Sequence, residues 1–161
     1  MGQDPFDEVH SQWREQRPDV DTTGLEVIGR ILLLAKKLKN EARLGLAGLG
    51  VDLWAFEVLA ALRRQGKPYR MNPSEISRAV ILSSGAMTNR LDRLEMQGLV
   101  ERSPDPGDRR AIWIELTPAG LELVDKGIEI RAEEANRIVG MLGDDVRESM
   151  VEGLRMLLSR P

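Results

Sequence analysis

The 161-residue sequence contains no cysteine and only one histidine, His10. Without thiols the chain cannot form disulfides, zinc–thiolate sites or a thiol redox sensor, and a single histidine argues against a transition-metal site. Several sequence patterns typical of enzymes are also missing: a phosphate-binding glycine loop, a serine-hydrolase elbow, a zinc-protease helix and a dinucleotide fingerprint. These absences predict a protein that is not an enzyme and that uses no cofactor.

Long apolar runs are missing as well. No stretch approaches the roughly 20 apolar residues that a membrane-spanning helix needs. The N-terminus, MGQDPFDEVH, is polar and acidic, unlike a signal peptide. With 42% hydrophobic and 30% charged residues, the composition is that of a globular chain. We therefore expect a soluble, cytoplasmic protein with no membrane partner.

Charge is unevenly distributed along the chain. The net charge is −3, yet residues 62–113 contain ten basic and six acidic side chains, whereas the rest contains thirteen basic and twenty acidic ones. A local basic surplus is typical of a nucleic-acid-binding region, although an ordinary solvated surface has the same appearance. Charge alone therefore does not assign the function.

Hydrophobic periodicity and turn residues predict the order of the elements. Asn72, Pro73 and Glu75 form a helix-start signal with a capping-box pattern. Gly98 is placed to end a later helix. The predicted elements are helices at about 20–46, 52–64, 73–80 and 84–97, strands at about 99–103 and 111–116, and two final helical segments at about 118–141 and 144–158.

Two short helices followed by a basic hairpin predict a winged helix-turn-helix. The second helix, about 84–97, is then expected in the major groove of duplex DNA, and the hairpin tip in the adjacent minor groove. The predicted DNA contacts are Ser84, Thr88, Asn89 and Arg93 on the helix and Arg109 and Arg110 on the wing. The alternatives are a helical domain with an exposed hairpin, or a dimerisation module whose basic face is incidental.

The run LSSGAMTNRLDRLEMQGLVERSPDPGDRRAIWIELTPAG, residues 82–120, resembles the MarR family of transcription regulators. This resemblance implies a mainly α fold with a small β-wing and with dimerisation helices at both ends. It also implies a homodimer, entry of Arg110 into the minor groove, and a wing-shaping role for Asp108. The implied parts are an N-terminal extension 1–18, a dimerisation helix 19–49, a DNA-binding domain 50–117 and C-terminal dimerisation helices 118–161.

Four residues resemble the effector site of the urate-responsive subgroup of that family: Trp13, Glu57, Arg64 and Arg90. The resemblance implies a ligand-responsive regulator, a repressor in our interpretation, that a small aromatic anion such as urate releases from a pseudo-palindromic operator. The subgroup usually has Asp where this chain has Glu57, which alters the position of the charge.

The chemistry of these side chains suits a flat anion. A guanidinium can pair with it in its plane, and an indole can stack on it. Repulsion between the anion and Glu57 would then act on Arg90 and shift the recognition helix. Other interpretations stay open: Glu57 in a surface ion pair, Arg90 on a phosphate, Trp13 as a core anchor, or a different phenolic or aromatic ligand.

Overall fold

The computed structural model describes residues 4–80, 87–104, 107 and 111–159. The chain divides into two compact units, Met1–Leu44 and Gly45–Pro161. The described elements are α1 (Pro5–Gln16), α2 (Thr23–Leu46), a 3₁₀ turn (Ala47–Leu49), α3 (Leu53–Arg64), β1 (Arg70–Met71), α4 (Pro73–Ala79), α5 (Met87–Met96), β2 (Val100–Pro104), β3 (Ile112–Leu116), α6 (Pro118–Val139) and α7 (Asp144–Leu158). A mainly α fold with a small β-sheet is confirmed.

In the first unit, α1 packs on α2 through one aromatic contact. The Phe6 ring lies over Gly29, where an added Cβ would come within 1.9 Å of Phe6 Cε2. Only a residue without a side chain leaves room for the ring at that point. No residue of α1 is buried, so this helix contributes little apolar burial of its own.

Charged groups supply the other contacts between α1 and α2. Asp4 caps α1 and shares a capping box with Asp7. Arg30 of α2 donates from Nε to Asp4 Oδ2 at 2.7 Å and also binds the Asp7 carboxylate. The hydrogen bond from Arg30, followed by that from the Phe6 amide, holds the pKa of Asp4 below its ordinary value. Electrostatic contacts therefore fix α1 on α2 within this unit.

The second unit has a continuous apolar core. It is built where α3, α4 and α5 meet the sheet and the first half of α6. Seven of the twelve residues of α3 are buried, which makes this helix the centre of the unit. The largest fully buried side chains of the core are Leu46, Val58, Leu59, Leu62, Ile76, Leu91, Leu94, Ile114 and Val124.

Local signals fix the ends of the helices around this core. At α4, Asn72 accepts from the Glu75 amide and Glu75 accepts from the Asn72 amide, both at 2.9 Å, so the predicted capping box is confirmed. Gly98, with φ of 68°, ends the α5 segment in the left-handed conformation that favours glycine. The Leu99 amide then bonds to the Leu94 carbonyl, turning the chain into β2.

The start of α6 is held tightly against the end of that turn. Thr117 caps α6 by accepting from the Gly120 amide, and its hydroxyl donates to the Gly98 carbonyl at 2.7 Å. A Cβ at Gly120 would lie 2.0 Å from the Leu99 carbonyl oxygen. Because backbone occupies that space, only glycine fits here.

The sheet has three antiparallel strands in the order β1-β3-β2. Strands β2 and β3 form the hairpin, with Arg102 opposite Ile114, and β1 pairs Met71 with the same Ile114. Ile114 thus lies at the centre of the sheet and is fully buried.

The element bounds differ slightly from the sequence-based ones. Helix α2 begins at Thr23 and not near residue 20, and the Asp21 carboxylate accepts from the Thr23 amide at its start. Strand β2 continues to Pro104, whose partner is Ile112. Within the described residues, no single helix is long and apolar enough to cross a membrane. One bent pair of consecutive helical segments, Thr23–Leu49 and Leu53–Arg64, has the length and apolar composition of a membrane span, and by those two criteria alone.

Candidate nucleic-acid interface and effector site

Helix α5 separates a buried face from an exposed one. Leu91 and Leu94 are buried in the core, and Met87 is partly buried against it, on the side that helical periodicity predicts as apolar. Thr88, Asn89 and Arg93 are exposed on the other side. This side therefore offers hydroxyl, amide and guanidinium groups together, a set that can bond to phosphates and base edges. Ser84, the other predicted helix contact, lies outside the described residues.

The wing is described at its base, whereas the predicted tip residues Asp108, Arg109 and Arg110 lie outside the described residues. At the base, Arg102 of β2 donates to Glu95 Oε2 at 2.6 Å and to Asp92 Oδ1 at 2.5 Å, both on α5. This fork ties the first wing strand to the helix that carries the exposed polar face.

Two predicted effector residues lie on α3. Glu57 is half-buried and Arg64 is exposed near the end of the helix. They are seven residues apart, so they share one side of α3 two turns from each other. The neighbouring Arg63 points elsewhere: it donates to Asp125 of α6 at 2.7 Å, and this hydrogen bond raises its pKa. The two adjacent arginines thus have different surroundings.

Arg90 of α5 lies against the indole of Trp54. Its guanidinium carbon is 5.3 Å from the ring centroid. Its Nη1 atom is buried and has no hydrogen-bond partner among the described residues. Trp54 precedes Glu57 by three residues and so shares its side of α3. The structure therefore brings Arg90 to the side of α3 that carries Glu57.

Trp13 belongs to the first unit and lies on α1. Its side chain is 51% exposed, so it is not a core anchor of that unit. An exposed indole of this kind offers a ring face on which a planar ligand can stack.

Trp54, which contacts Arg90, and Asp52, which bonds to Trp54, were not predicted as functional. Trp54 Nε1 donates to Asp52 Oδ2 at 3.1 Å, and Arg93 Nη1 is 3.4 Å from the same oxygen. Aspartate at the start of a helix normally serves as its cap, and sequence reasoning assigned no function to Trp54. A usable signal was present in the spacing, because a tryptophan three residues before Glu57 must lie on the side of α3 assigned to the effector.

Known proteins share both the sequence and the elements of this region. A model of the MarR family matches residues 54–112, from α3 to the first residue of β3. The HTH-type transcriptional regulator PecS of Dickeya dadantii (strain 3937) is 33% identical over 153 residues, which cover 95% of this chain and 90% of that protein. The chain belongs to the MarR family. The resemblance noted in residues 82–120 is thereby confirmed.

Solved MarR-family structures share the fold. A cysteine-to-serine mutant of Escherichia coli MarR in complex with operator DNA aligns with a TM-score of 0.72 at 23% identity, over 86% of this chain and 99% of that one. Bordetella bronchiseptica BpsR, studied for the regulation of its DNA binding by 6-hydroxynicotinic acid, aligns with a TM-score of 0.64 at 23% identity, over 81% and 99%. The winged-helix fold is confirmed, and this MarR-family chain is a transcriptional regulator and not an enzyme.

Proposed function

We propose that this chain is a repressor that binds a pseudo-palindromic operator as a homodimer and leaves it when a small aromatic anion binds. The observation that carries the proposal is the amphipathic α5, with Leu91 and Leu94 buried and Thr88, Asn89 and Arg93 exposed, joined through Arg102 to a hairpin. This is the pairing of helix and wing with which winged-helix proteins read two adjacent grooves.

The exposed apolar residues support the homodimer. Leu32 on α2 is 65% exposed, and Leu25 and Ile28, which share its side of the helix, are also exposed. Exposed apolar residues gathered on one helix are typical of an interaction surface. A two-fold dimer would cover such a face and would match the two half-sites of an operator.

Exposed apolar side chains also occur on the last helices. Ile128 of α6 and Met150, Val151, Met156 and Leu158 of α7 are exposed, whereas Val124 of α6 is buried in the core. The apolar positions of α6 thus serve two purposes along its length. Residues near Val124 complete the core of the second unit, and those from Ile128 onward contribute to the proposed dimer.

The surroundings of Arg90 support the anion. Arg90 Nη1 is buried without a partner among the described residues, which costs free energy, and a ligand oxygen would satisfy it. Urate would bring a delocalised negative charge beside Arg90 and close to the carboxylate of Glu57. Repulsion from Glu57 then favours a different position of Arg90, and of the helix that carries it, which weakens DNA binding.

The DNA-binding part of the proposal is tested by footprinting on the intergenic DNA upstream of the gene. This DNA is chosen because MarR-type regulators often control their own genes. We expect protection of a pseudo-palindrome and repression of a reporter placed behind it. The affinity should fall steeply with salt, by a logarithmic slope of about −0.9 for each phosphate contacted. Binding that ignores salt, or equal binding to scrambled duplex, would contradict the proposal and favour a dimerisation module.

The effector is tested on the same complex. Urate is titrated into the protein–operator complex beside 6-hydroxynicotinic acid, the compound connected with BpsR. We expect release by urate, and Arg64→Ala should abolish it while operator affinity stays within about twofold, because Arg64 lies outside the exposed face of α5. Release by 6-hydroxynicotinic acid alone would retain a ligand-responsive regulator but replace urate with another aromatic acid. No release by millimolar urate rejects the urate proposal.

A further inference from the structure

Asp52 occupies the N-cap of α3 without capping it. Its backbone is extended, with φ of −72° and ψ of 155°, as an N-cap requires, but its side chain makes no capping hydrogen bond. Aspartate is among the residues that best cap a helix, so the carboxylate forgoes a favourable local bond. It bonds instead to Trp54 Nε1 and lies beside Arg93. A local preference abandoned in this way often marks a functional site.

The Trp54 indole gathers two arginines of α5. The guanidinium carbons of Arg90 and Arg93 lie 5.3 and 5.7 Å from the ring centroid, within the range of cation–π attraction. The two arginines are three residues apart, so they project from one side of α5. Because Asp52 accepts the hydrogen bond of the indole N–H, its carboxylate is held at the edge of the ring. The Arg93 guanidinium therefore lies against both the ring and the carboxylate.

Arg93 also belongs to the exposed side of α5. It follows Asn89 by one helical turn, and 56% of its side chain is accessible to solvent. Asp52 is similarly accessible, at 54%. At 3.4 Å between solvent-exposed groups this ion pair is weak, so a DNA phosphate can displace the carboxylate from Arg93.

We propose that Asp52 competes with the DNA backbone for Arg93 and that Trp54 is a positioning residue that aims the Asp52 carboxylate. In the free protein Arg93 rests beside Asp52. On operator binding it exchanges this carboxylate for a phosphate, and Asp52 thereby lowers the affinity for every duplex. The inference rests on the proposed DNA binding. It assigns to Asp52 a role opposite to that of a DNA-contacting residue, because Asp52 lowers the affinity for DNA.

The test is a double-mutant cycle on the full-length protein, with operator binding followed by fluorescence anisotropy. Asp52→Asn keeps an oxygen for the indole N–H and a good capping residue but removes the charge. We expect it to raise operator affinity roughly 3- to 10-fold. Arg93→Ala should lower affinity and reduce the salt slope by about 0.9, the loss of one phosphate contact. In the Arg93→Ala background, Asp52→Asn should give no gain.

Control variants separate competition for Arg93 from a general charge effect. Glu101→Gln removes one negative charge from the exposed side of β2 and should leave affinity within about twofold. Asp52→Glu retains a competing carboxylate and should stay near wild type. Trp54→Phe, which keeps a ring but loses the N–H, should give part of the Asp52→Asn gain.

The outcomes distinguish this inference from the proposed function. If the wild type binds no duplex, the proposed function fails first. If it binds and Asp52→Asn leaves affinity unchanged, or raises it equally with and without Arg93, the competition is disproved and the DNA-binding proposal stands. Melting temperatures of all variants within a few degrees of wild type show that folding is not the cause of a change.

Discussion

The two units of this chain are stabilised in different ways. The second unit, Gly45–Pro161, buries a continuous core in which α3 contributes seven residues. The first unit, Met1–Leu44, has one buried apolar side chain among its described residues, Ala42, and depends on the contacts of Arg30 with Asp4 and Asp7. Apolar burial is the dominant favourable contribution to folding, and exposed ion pairs contribute little.

This difference draws attention to the apolar surface of α2. Its exposed leucines, together with Val27 and Ile28, cannot stabilise the first unit by themselves, because they remain accessible to water. The proposed homodimer would bury them and supply what the ion pairs of Arg30 do not. The first unit is thus expected to depend on assembly, and the second on its own core.

One matched pair of substitutions compares the units directly. Val58→Ala removes two methyl groups from a fully buried position of α3, and Val9→Ala makes the same change at an exposed position of α1. We expect the first to reduce the free energy of unfolding by about 2–3 kcal/mol, through lost burial and a residual cavity, and the second by less than about 0.5 kcal/mol. Urea denaturation at one protein concentration measures both, and equal losses would refute the contrast.

The assembly of the first unit is tested at Leu32. Leu32→Asp places a charge in the proposed interface, and two-fold symmetry counts it twice, so dimer dissociation should become at least about tenfold easier. Lys37→Gln changes the net charge equally on another side of α2 and should leave the dimer intact. Light scattering over a concentration series gives the dissociation constant. A Leu32→Asp dimer as tight as wild type would exclude this face.

In the second unit, Arg102 of β2 forms ion pairs with Asp92 and Glu95 of α5, beside the apolar core. Arg102→Gln should lower the free energy of unfolding by about 1–2 kcal/mol, since two charge-assisted hydrogen bonds are lost and Asp92 and Glu95 are left close together. Arg78→Gln, at an exposed position of α4, should cost less than about 0.5 kcal/mol. Urea denaturation measures the free energy of unfolding of both variants. An equal loss for Arg102→Gln and Arg78→Gln would show that the ion pairs of Arg102 add no stability.

The smallest expected effect concerns Asp4 in the first unit. Asp4→Asn keeps a good cap for α1 but removes the charge that Arg30 binds, so hydrogen exchange of the α1 amides at pH 7 should rise by roughly 2- to 5-fold.

The pH dependence of this contact follows from the lowered pKa of Asp4. The protection that its charge gives is complete above the ordinary pKa of an aspartate, and it is lost as the pH falls through the lowered value. Wild type and Asp4→Asn should therefore differ at pH 5 to 7 and become alike in stronger acid. A difference that persists unchanged into stronger acid would mean that the charge of Asp4 is not what Arg30 recognises.

Much of the second unit could be predicted from local signals. Asn72 and Glu75 predict the start of α4, and Gly98 predicts the end of the α5 segment. These predictions succeed because caps and left-handed turns depend on only a few neighbouring residues. The buried stripe of Leu91 and Leu94 follows from helical periodicity. The order of the helices and strands and the side chains exposed on α5 follow from local signals of this kind.

Contacts between elements were harder to predict. The spacing of Glu57 and Arg64 places them on one side of α3, but it cannot say that Arg90 rests on Trp54, since that contact joins two helices. Capping preference predicts a backbone bond for Asp52, whereas its carboxylate accepts from the Trp54 indole on the same helix and lies beside Arg93 of α5. The apolar pattern likewise could not separate Val124 in the core from Ile128 on the surface.

The contact between Gly120 and the Leu99 carbonyl sets the position and direction of the first turn of α6. Helix α6 has 22 residues and is thus about 33 Å long, so a tilt of about 5° at this point moves its far end by about 3 Å. A displacement of that size is close to the rise of two helical residues. In the proposed homodimer, the distance between the two α5 helices would therefore depend on how closely Gly120 packs against the Leu99 carbonyl.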